Sequence, residues 1–407
     1  MVKIFQISSE LNVGSVGKIS EQIGESVLNE GWQSFIAYGR EGGETTSKAI
    51  KIGNKLSVYY HVLMTRLTDK HGHFSFNATN KLIDCIDTIQ PDIIHLHHLH
   101  GYFVNIDVLF RYLQEVKIPV VWTFHDCWSY TGHCAYYDQI DCEKWMDHCR
   151  KCPQIQSYPK SLLLDRSESN FTEKKNLFTS VSNLTIVPVS HWLAGETKKS
   201  FFKNANIRVI QNGIDIDKFS YRENEIRTKF NIGKKFMILG VASPWDNRKG
   251  LKYFIELYDK ISSDNQIVLI GLSARQISEL PAGIIGLERT NSIEELASFY
   301  SSSDVFVNPT LEEALGLTNI ESLSCGTPVV TFNSGGSPET IDKETGIVVG
   351  KGDIEGLKSA IEEIKEHGKE YYFNNCRKRA ELHFKKQDRF SEYIALYKEL
   401  LNLSENE

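Results

Sequence analysis

Two acids eight positions apart, Glu313 and Glu321, bracket the apolar run ALGLT in EEALGLTNIE, residues 312–321. The strand-like VFVNPT before it and the helix-like LTNIESLSCG after it, closed by Gly326, put Glu313 in a loop and Glu321 about one turn into a helix. The backbone of Ala314, Leu315, Gly316, Leu317 and Thr318 then leads into the helix start. There, unpaired N–H groups and the helix dipole favour a phosphate, and an apolar loop left exposed can bind through its backbone. From these ten residues alone, a solvated acid and a helix-surface acid explain the pair equally well. A second strand end shifts the balance. FMILGVA is followed by SPWDNRKG, which sets Arg248 and Lys249 at the next helix start, where two cations oppose the dipole unless an anion lies between them. A diphosphate resolves that conflict.

The first half of the chain carries a different chemistry. DIIHLHHLHG ends a strand with His95, His97, His98 and His100, and PVVWTFHD ends another with His125 and Asp126. Strand alternation sends His95 and His97 to one face and His98 to the other, so a single metal ion is not expected. His97, His98, His100 and Asp126 read instead as hydrogen-bonding groups lining a ligand site, with a buried histidine satisfied by backbone as the plain alternative for His95. Gly14 and Gly17 lie between the first strand and helix but match neither a Walker A nor a GxGxxG pattern. A tight turn and a close backbone approach to a phosphate fit them equally. Cys134, Cys142, Cys149 and Cys152 are spaced C-x7-C-x6-C-x2-C, with His133 and His148 nearby. The closing CxxC suits structural zinc, since four thiolates leave no open position for catalysis; a disulfide pair and free thiols are the competing readings.

The elements that must position these groups follow one scheme. VKIFQI, SFIAYG, DIIHL, PVVWTFH, LTIVPVS and IRVI, then FMILGVA, QIVLIG, GIIGLE, VFVNP, PVVTF and GIVVG, are continuous apolar strands separated by helical spacing. That is the pattern of parallel sheets covered on both faces. It predicts an α/β protein of two doubly wound, Rossmann-like domains facing a cleft, with chemistry at the carboxyl ends of strands. The seam is expected near NGIDIDKF: residues 1–212 form the first domain and 213–387 the second. The helix 388–407, apolar at Phe390, Ile394, Tyr397 and Leu401, is expected to pack back on the first. KLSVYYHVLMTRLTDKHGH reads as an amphipathic helix covering the sheet, with a membrane-surface role as its alternative.

With 407 residues, 41% hydrophobic and 24% charged, the chain is an ordinary globular protein, and its net charge of -6 argues against nucleic acid as a partner. No apolar run nears the roughly 20 residues of a membrane span, and MVKIFQISSE reads as a first strand rather than a signal peptide. A cytoplasmic protein is expected, with peripheral contact at the inner membrane face as an extension.

Taken with Lys249, the E-x7-E run, SLSCGTPVV and GGSPE resemble the family-4 retaining glycosyltransferases of the GT-B type. HLHHLHGYF, WTFHDCWSYTGHC, CRKCPQ, YPKS and VSHWL extend the likeness to the branch that builds capsular and colanic-acid-type exopolysaccharides. The resemblance implies a UDP- or GDP-linked sugar donor and a saccharide or lipid-linked acceptor. It also implies catalytic roles for Glu313 and His125 at the reacting sugar, diphosphate contacts from Arg248, Lys249, the helix-start amides and Gly14 and Gly17, and ribose binding by Glu321. No catalytic metal is implied. One departure stands out: the family's usual arginine five residues before the lysine is Pro244 here, so Arg248 is the candidate replacement. A sugar-nucleotide epimerase or phosphorylase on the same plan, and a non-catalytic nucleotide-sugar-binding module, are the alternatives.

Overall fold

The computed structural model describes residues 1–403, which divide into two compact units: residues 1–211 with Phe390 onward, and Asn212–Arg389. The first unit holds strands β1 (Lys3–Ser8), β2 (Gln33–Tyr38), β3 (Lys48–Lys51), β4 (Ile93–Leu96), β5 (Val120–Phe124), β6 (Leu184–Pro188) and β7 (Asn206–Ile207). They form one parallel sheet in the order β3-β2-β1-β4-β5-β6-β7. The second unit holds β8 (Phe236–Val241), β9 (Asn265–Ile270), β10 (Ile285–Leu287), β11 (Val305–Asn308), β12 (Val329–Phe332) and β13 (Gly346–Val349), parallel in the order β10-β9-β8-β11-β12-β13. Both are doubly wound α/β sheets, as the continuous apolar strands predict. Their strands are buried through most of their length because helices cover both faces.

In each sheet the strand order reverses beside the first strand, between β1 and β4 and between β8 and β11. Loops at the carboxyl ends of such neighbours diverge to opposite faces and leave a crevice for a ligand. The loop after β1 leads into a helix that opens with Gly14 and holds Gly17 in its first turn, and the loop after β4 carries His97, His98 and His100; the β8 and β11 loops carry Lys249 and Glu313.

The C-terminal helix Lys386–Leu401 buries Phe390, Tyr393, Ile394, Leu396 and Tyr397 against Ile4, Ile19, Ile23, Trp32 and Ile93 of the first unit. Its apolar stripe therefore completes that core. At the opposite sheet edge, β3 is KAIK and mostly exposed, an edge strand blunted by lysines whose polarity hides it from an apolar-run reading. IRVI pairs as a strand only at Asn206–Ile207.

Candidate active site

Two loops of the second unit are tied through their backbones. Leu311 N–H donates to the carbonyl of Arg248 at 2.8 Å, so the loop after β11 is pinned to the single turn Asn247–Lys249 after β8. Asp246 caps that turn by accepting the Lys249 N–H at 3.0 Å. Lys249 Nζ consequently meets Glu313 Oε2 at 2.5 Å, with the two side chains 21% and 16% exposed. Burial pushes the Glu313 carboxyl up, but the Lys249 ammonium and the Arg248 guanidinium beyond it outweigh that and hold it below the usual carboxylate range. Arg248 itself lies 3.7 Å from Asp246 through Nε and is 27% exposed. Its charge faces the Glu313 loop rather than only solvent.

The loop is held from behind by the GGSPE turn. Gly336 N–H donates to the Glu313 carbonyl at 2.9 Å, and Gly335 sits at φ +55°, where an added Cβ would lie 1.9 Å from that oxygen. Only glycine fits there. Asn319, in the helix Leu317–Ser324, donates to Ser337 Oγ and Thr340 Oγ1 at 3.0 Å each and accepts from Asn308 at 2.8 Å. These buried amide and hydroxyl contacts fix the helix start against the end of β11. Ala314 and Leu315 are 6% and 2% exposed, which corrects the expectation of an exposed apolar loop. Their side chains anchor the segment, and the amides of Gly316, Leu317 and Thr318 follow at the helix start, where intrahelical partners are lacking. Glu321 stands further along the helix and accepts the Tyr300 hydroxyl at 2.9 Å. Tyr300 and Gly335 are site-shaping residues that the sequence reading did not single out. GGSPE was legible only as a motif, and nothing marks Tyr300 as Glu321's partner.

In the first unit, Asp126 gathers groups from separate segments. Its Oδ2 lies 2.9 Å from His98 Nε2 and 2.8 Å from His100 Nε2, and its Oδ1 accepts the Trp128 N–H at 2.9 Å. The Tyr158 hydroxyl reaches His100 Nδ1 at 3.0 Å and donates to the His100 carbonyl at 2.5 Å. His125 Nε2 lies 3.3 Å from His97 Nδ1, and His97 Nε2 meets Gln6 at 2.9 Å. His98, 28% exposed, and the partly exposed His125 thus stand in front, with His97 and His100 buried behind them. His95 is satisfied by the side chains of Tyr397 at 2.6 Å and Thr123 at 2.8 Å, not by backbone.

Burial pushes the His97 and His125 imidazoles well below their usual range, and the neighbouring histidines push the same way. His100 is brought to about 4 by burial, which outweighs Asp126. Burial also opposes the charge of Asp126, but the His100 and His98 donors keep it ionised. The result is an ionised carboxylate beside a His100 imidazole that burial keeps neutral at neutral pH.

His98, His100 and Asp126 bring ligand atoms within 4.8 Å of one another, the grouping among the described residues with a metal-like spacing. The four histidines do not converge on one point, as expected: His95 and His97 bond elsewhere, while His98 and His100 meet through a carboxylate from the β5 end. Each of these two already spends one ring nitrogen on that carboxylate.

Gly14 opens the helix Gly14–Asn29 at φ +64°, and an added Cβ would come within 2.9 Å of Glu10. Gly17 is buried against the Glu10–Asn12 turn, whose Asn12 N–H donates to the Gly17 carbonyl at 3.0 Å. Cys134, Cys142, Cys149 and Cys152 are free thiols lining one small cavity with His133. The helix Lys55–Thr68 does not cover the sheet in the expected way: it buries only His61 and Thr65, while Leu56, Tyr59, Tyr60, Leu63 and Leu67 are exposed. His61 turns inward because it bonds Ser75 and the Gly72 N–H.

Two doubly wound domains, one with a paired lysine and glutamate at a helix start, define a glycosyltransferase of the GT-B type. The chain matches the model of Glycosyltransferase Family 4 over residues 22–218 and that of Glycosyl transferases group 1 over 234–367. Both models describe glycosyltransferases, and the chain is a glycosyltransferase similar to those of family 4. It is similar to WcaC of Escherichia coli (strain K12), named for a glycosyl transferase role in colanic acid biosynthesis, at 26% identity over 375 residues, 87% of this chain and 88% of that one. It is also similar to the capsular polysaccharide biosynthesis glycosyltransferase CapM of Staphylococcus aureus, at 29% identity over 48% of this chain and 54% of CapM. Among solved structures, sucrose-phosphate synthase from Thermosynechococcus elongatus superposes with a TM-score of 0.73 at 20% identity, over 99% of this chain and 100% of that one. No helix of the described residues is long and apolar enough to cross a membrane.

Proposed function

We propose that the chain is a retaining hexosyltransferase that moves a sugar from a UDP- or GDP-linked donor to a saccharide or lipid-linked saccharide in capsule or exopolysaccharide assembly. The observation that carries this reading is the Lys249–Glu313 pair at the start of the helix Leu317–Ser324. An ammonium has three donors, so Lys249 can keep Glu313 and still bind a diphosphate oxygen. As the bond to the donor sugar breaks, negative charge grows on the leaving diphosphate, and Lys249, Arg248 and the amides of Leu317 and Thr318 offset it without rearranging. Glu313, kept ionised by its neighbours, accepts from hydroxyls of the reacting sugar. Glu321, oriented by Tyr300, accepts from the ribose.

His125, held neutral by burial, and His98 present imidazoles toward the acceptor side, braced by His97 and Asp126. No step needs a divalent metal. The outward apolar face of the helix Lys55–Thr68, flanked by Lys55, Arg66 and Lys70, suits resting on an anionic bilayer that carries a lipid-linked acceptor.

The test is turnover of purified chain on UDP- and GDP-sugars with lipid-linked saccharides, reading the anomeric configuration of the product by NMR. Retained configuration, lost in Lys249→Ala and Glu313→Ala, is the expected outcome. Unchanged turnover in both variants defeats the reading. Co-sedimentation with anionic vesicles, lost when Leu56 and Leu63 become Ser, tests the membrane contact.

A further inference from the structure

Between Thr131 and Arg166 the first unit contains no regular element beyond two single 3-10 turns, Asp138–Ile140 and Lys144–Met146. Loops of that length inside a domain need a tie of their own. This one also has a task, because it ends by setting the Tyr158 hydroxyl on His100.

All four cysteines of the segment, Cys134, Cys142, Cys149 and Cys152, line a single small cavity, although no three of their sulfurs lie within 4.8 Å of one another, so a bound ion would have to draw them together. The thiols of Cys134 and Cys152 hydrogen-bond to one another, and Cys149 Sγ accepts the Gly132 N–H at 3.2 Å. A separate observation points to the same place. His133 lines that cavity with Nε2 buried and unpartnered, while its Nδ1 lies 2.7 Å from Asp69 Oδ1, both side chains 0% exposed. A buried imidazole fixed by a carboxylate on one nitrogen and unpartnered on the other is the arrangement found around metal ligands. Cations stand ready for the charge that thiolates would bring. Lys144 and Arg150 line the cavity, and the buried Lys174 sits behind it with Nζ on the carbonyls of Trp128 and Thr131 at 2.8 and 3.1 Å.

We infer that Cys134, Cys142, Cys149 and Cys152 hold one thiophilic divalent cation, zinc by class, as a structural tie that positions Tyr158 against the His100–Asp126 pair, with His133 at its edge. On binding, each thiol releases its proton to solvent and the sulfur lone pair forms the metal bond, with no oxidant or reductant required. Four thiolates fill a tetrahedral shell, so the cation takes no part in transfer.

The test is metal analysis of full-length chain purified without added chelator, followed by exchange with cobalt. Stoichiometric zinc, visible and near-ultraviolet bands of tetrahedral thiolate-bound cobalt, and metal release on titration with a mercurial are expected. His133→Gln should weaken zinc binding by about 10- to 100-fold, as loss of a group supporting a metal site does. Cys149→Ser and Cys152→Ser should lose the metal. Because these variants can unfold, wild-type protein treated with a strong chelator is the second arm: its melting temperature should fall, while its affinity for UDP or GDP, assigned to the other unit, stays unchanged. A metal-free chain whose intact mass is lower by two or four hydrogens, or one whose four thiols titrate freely with no change in melting, overturns the inference.

Discussion

The second unit builds its site from an ion pair and backbone, the first from imidazoles and hydroxyls gathered around one carboxylate. Around Lys249 and Glu313, one ion pair and the start of one helix lie in two loops pinned to each other by the Leu311–Arg248 contact. Around Asp126, His98, His100, Trp128 and Tyr158 converge from separate segments, with a His100 imidazole that burial keeps uncharged. The first arrangement suits an anion whose charge grows during reaction. The second suits hydroxyl groups, which need positioned donors and acceptors rather than net charge.

If that contrast holds, the largest effect comes from charge. Lys249→Ala should lower kcat by about 10²–10³-fold, the scale of losing a group that stabilises a leaving anion, and steady-state transfer assays check it. Asp126→Asn should cost about 10- to 100-fold in kcat, because a carboxamide cannot accept from the two histidines through one atom and from the Trp128 N–H through the other, while the donor KM stays near its wild-type value. Tyr300→Phe removes one hydrogen bond from Glu321 and should raise the donor KM several-fold, about 1 kcal/mol, leaving kcat little changed.

A separate effect is on stability against pH. Burial lowers His95 from 6.5 to about 3 and brings His100 to about 4. The unfolded chain therefore binds protons below about pH 6.5 that the native state refuses. Stability is full above that pH and falls as pH drops from 6.5 toward 4. Thermal melts across this range should show the decline, and His95→Gln should flatten part of it.

The same contrast explains what could be read in advance. Glu313, Glu321, Arg248 and Lys249 sit within short runs whose backbone path follows from strand, loop and helix order, so their grouping was legible. The direction of Arg248 was not, since it depends on Asp246 and on how the two loops pack. His98 and His100 converge only because Asp126 reaches them from the end of another strand, and Tyr158 arrives on an irregular loop; no spacing rule carries that information. The parallel strands were visible as apolar runs, apart from the lysine-edged β3. The helix Lys55–Thr68 showed its apolar content but not its orientation, because His61 rather than its leucines turns inward.

The most direct test of the division between the two units is titration of UDP and GDP into wild type, Lys249→Ala and Asp126→Asn by calorimetry. The account predicts that one nucleotide binds wild type and Asp126→Asn with similar affinity and binds Lys249→Ala at least tenfold more weakly, while Asp126→Asn still loses transfer. Nucleotide affinity retained in Lys249→Ala and lost in Asp126→Asn would contradict it.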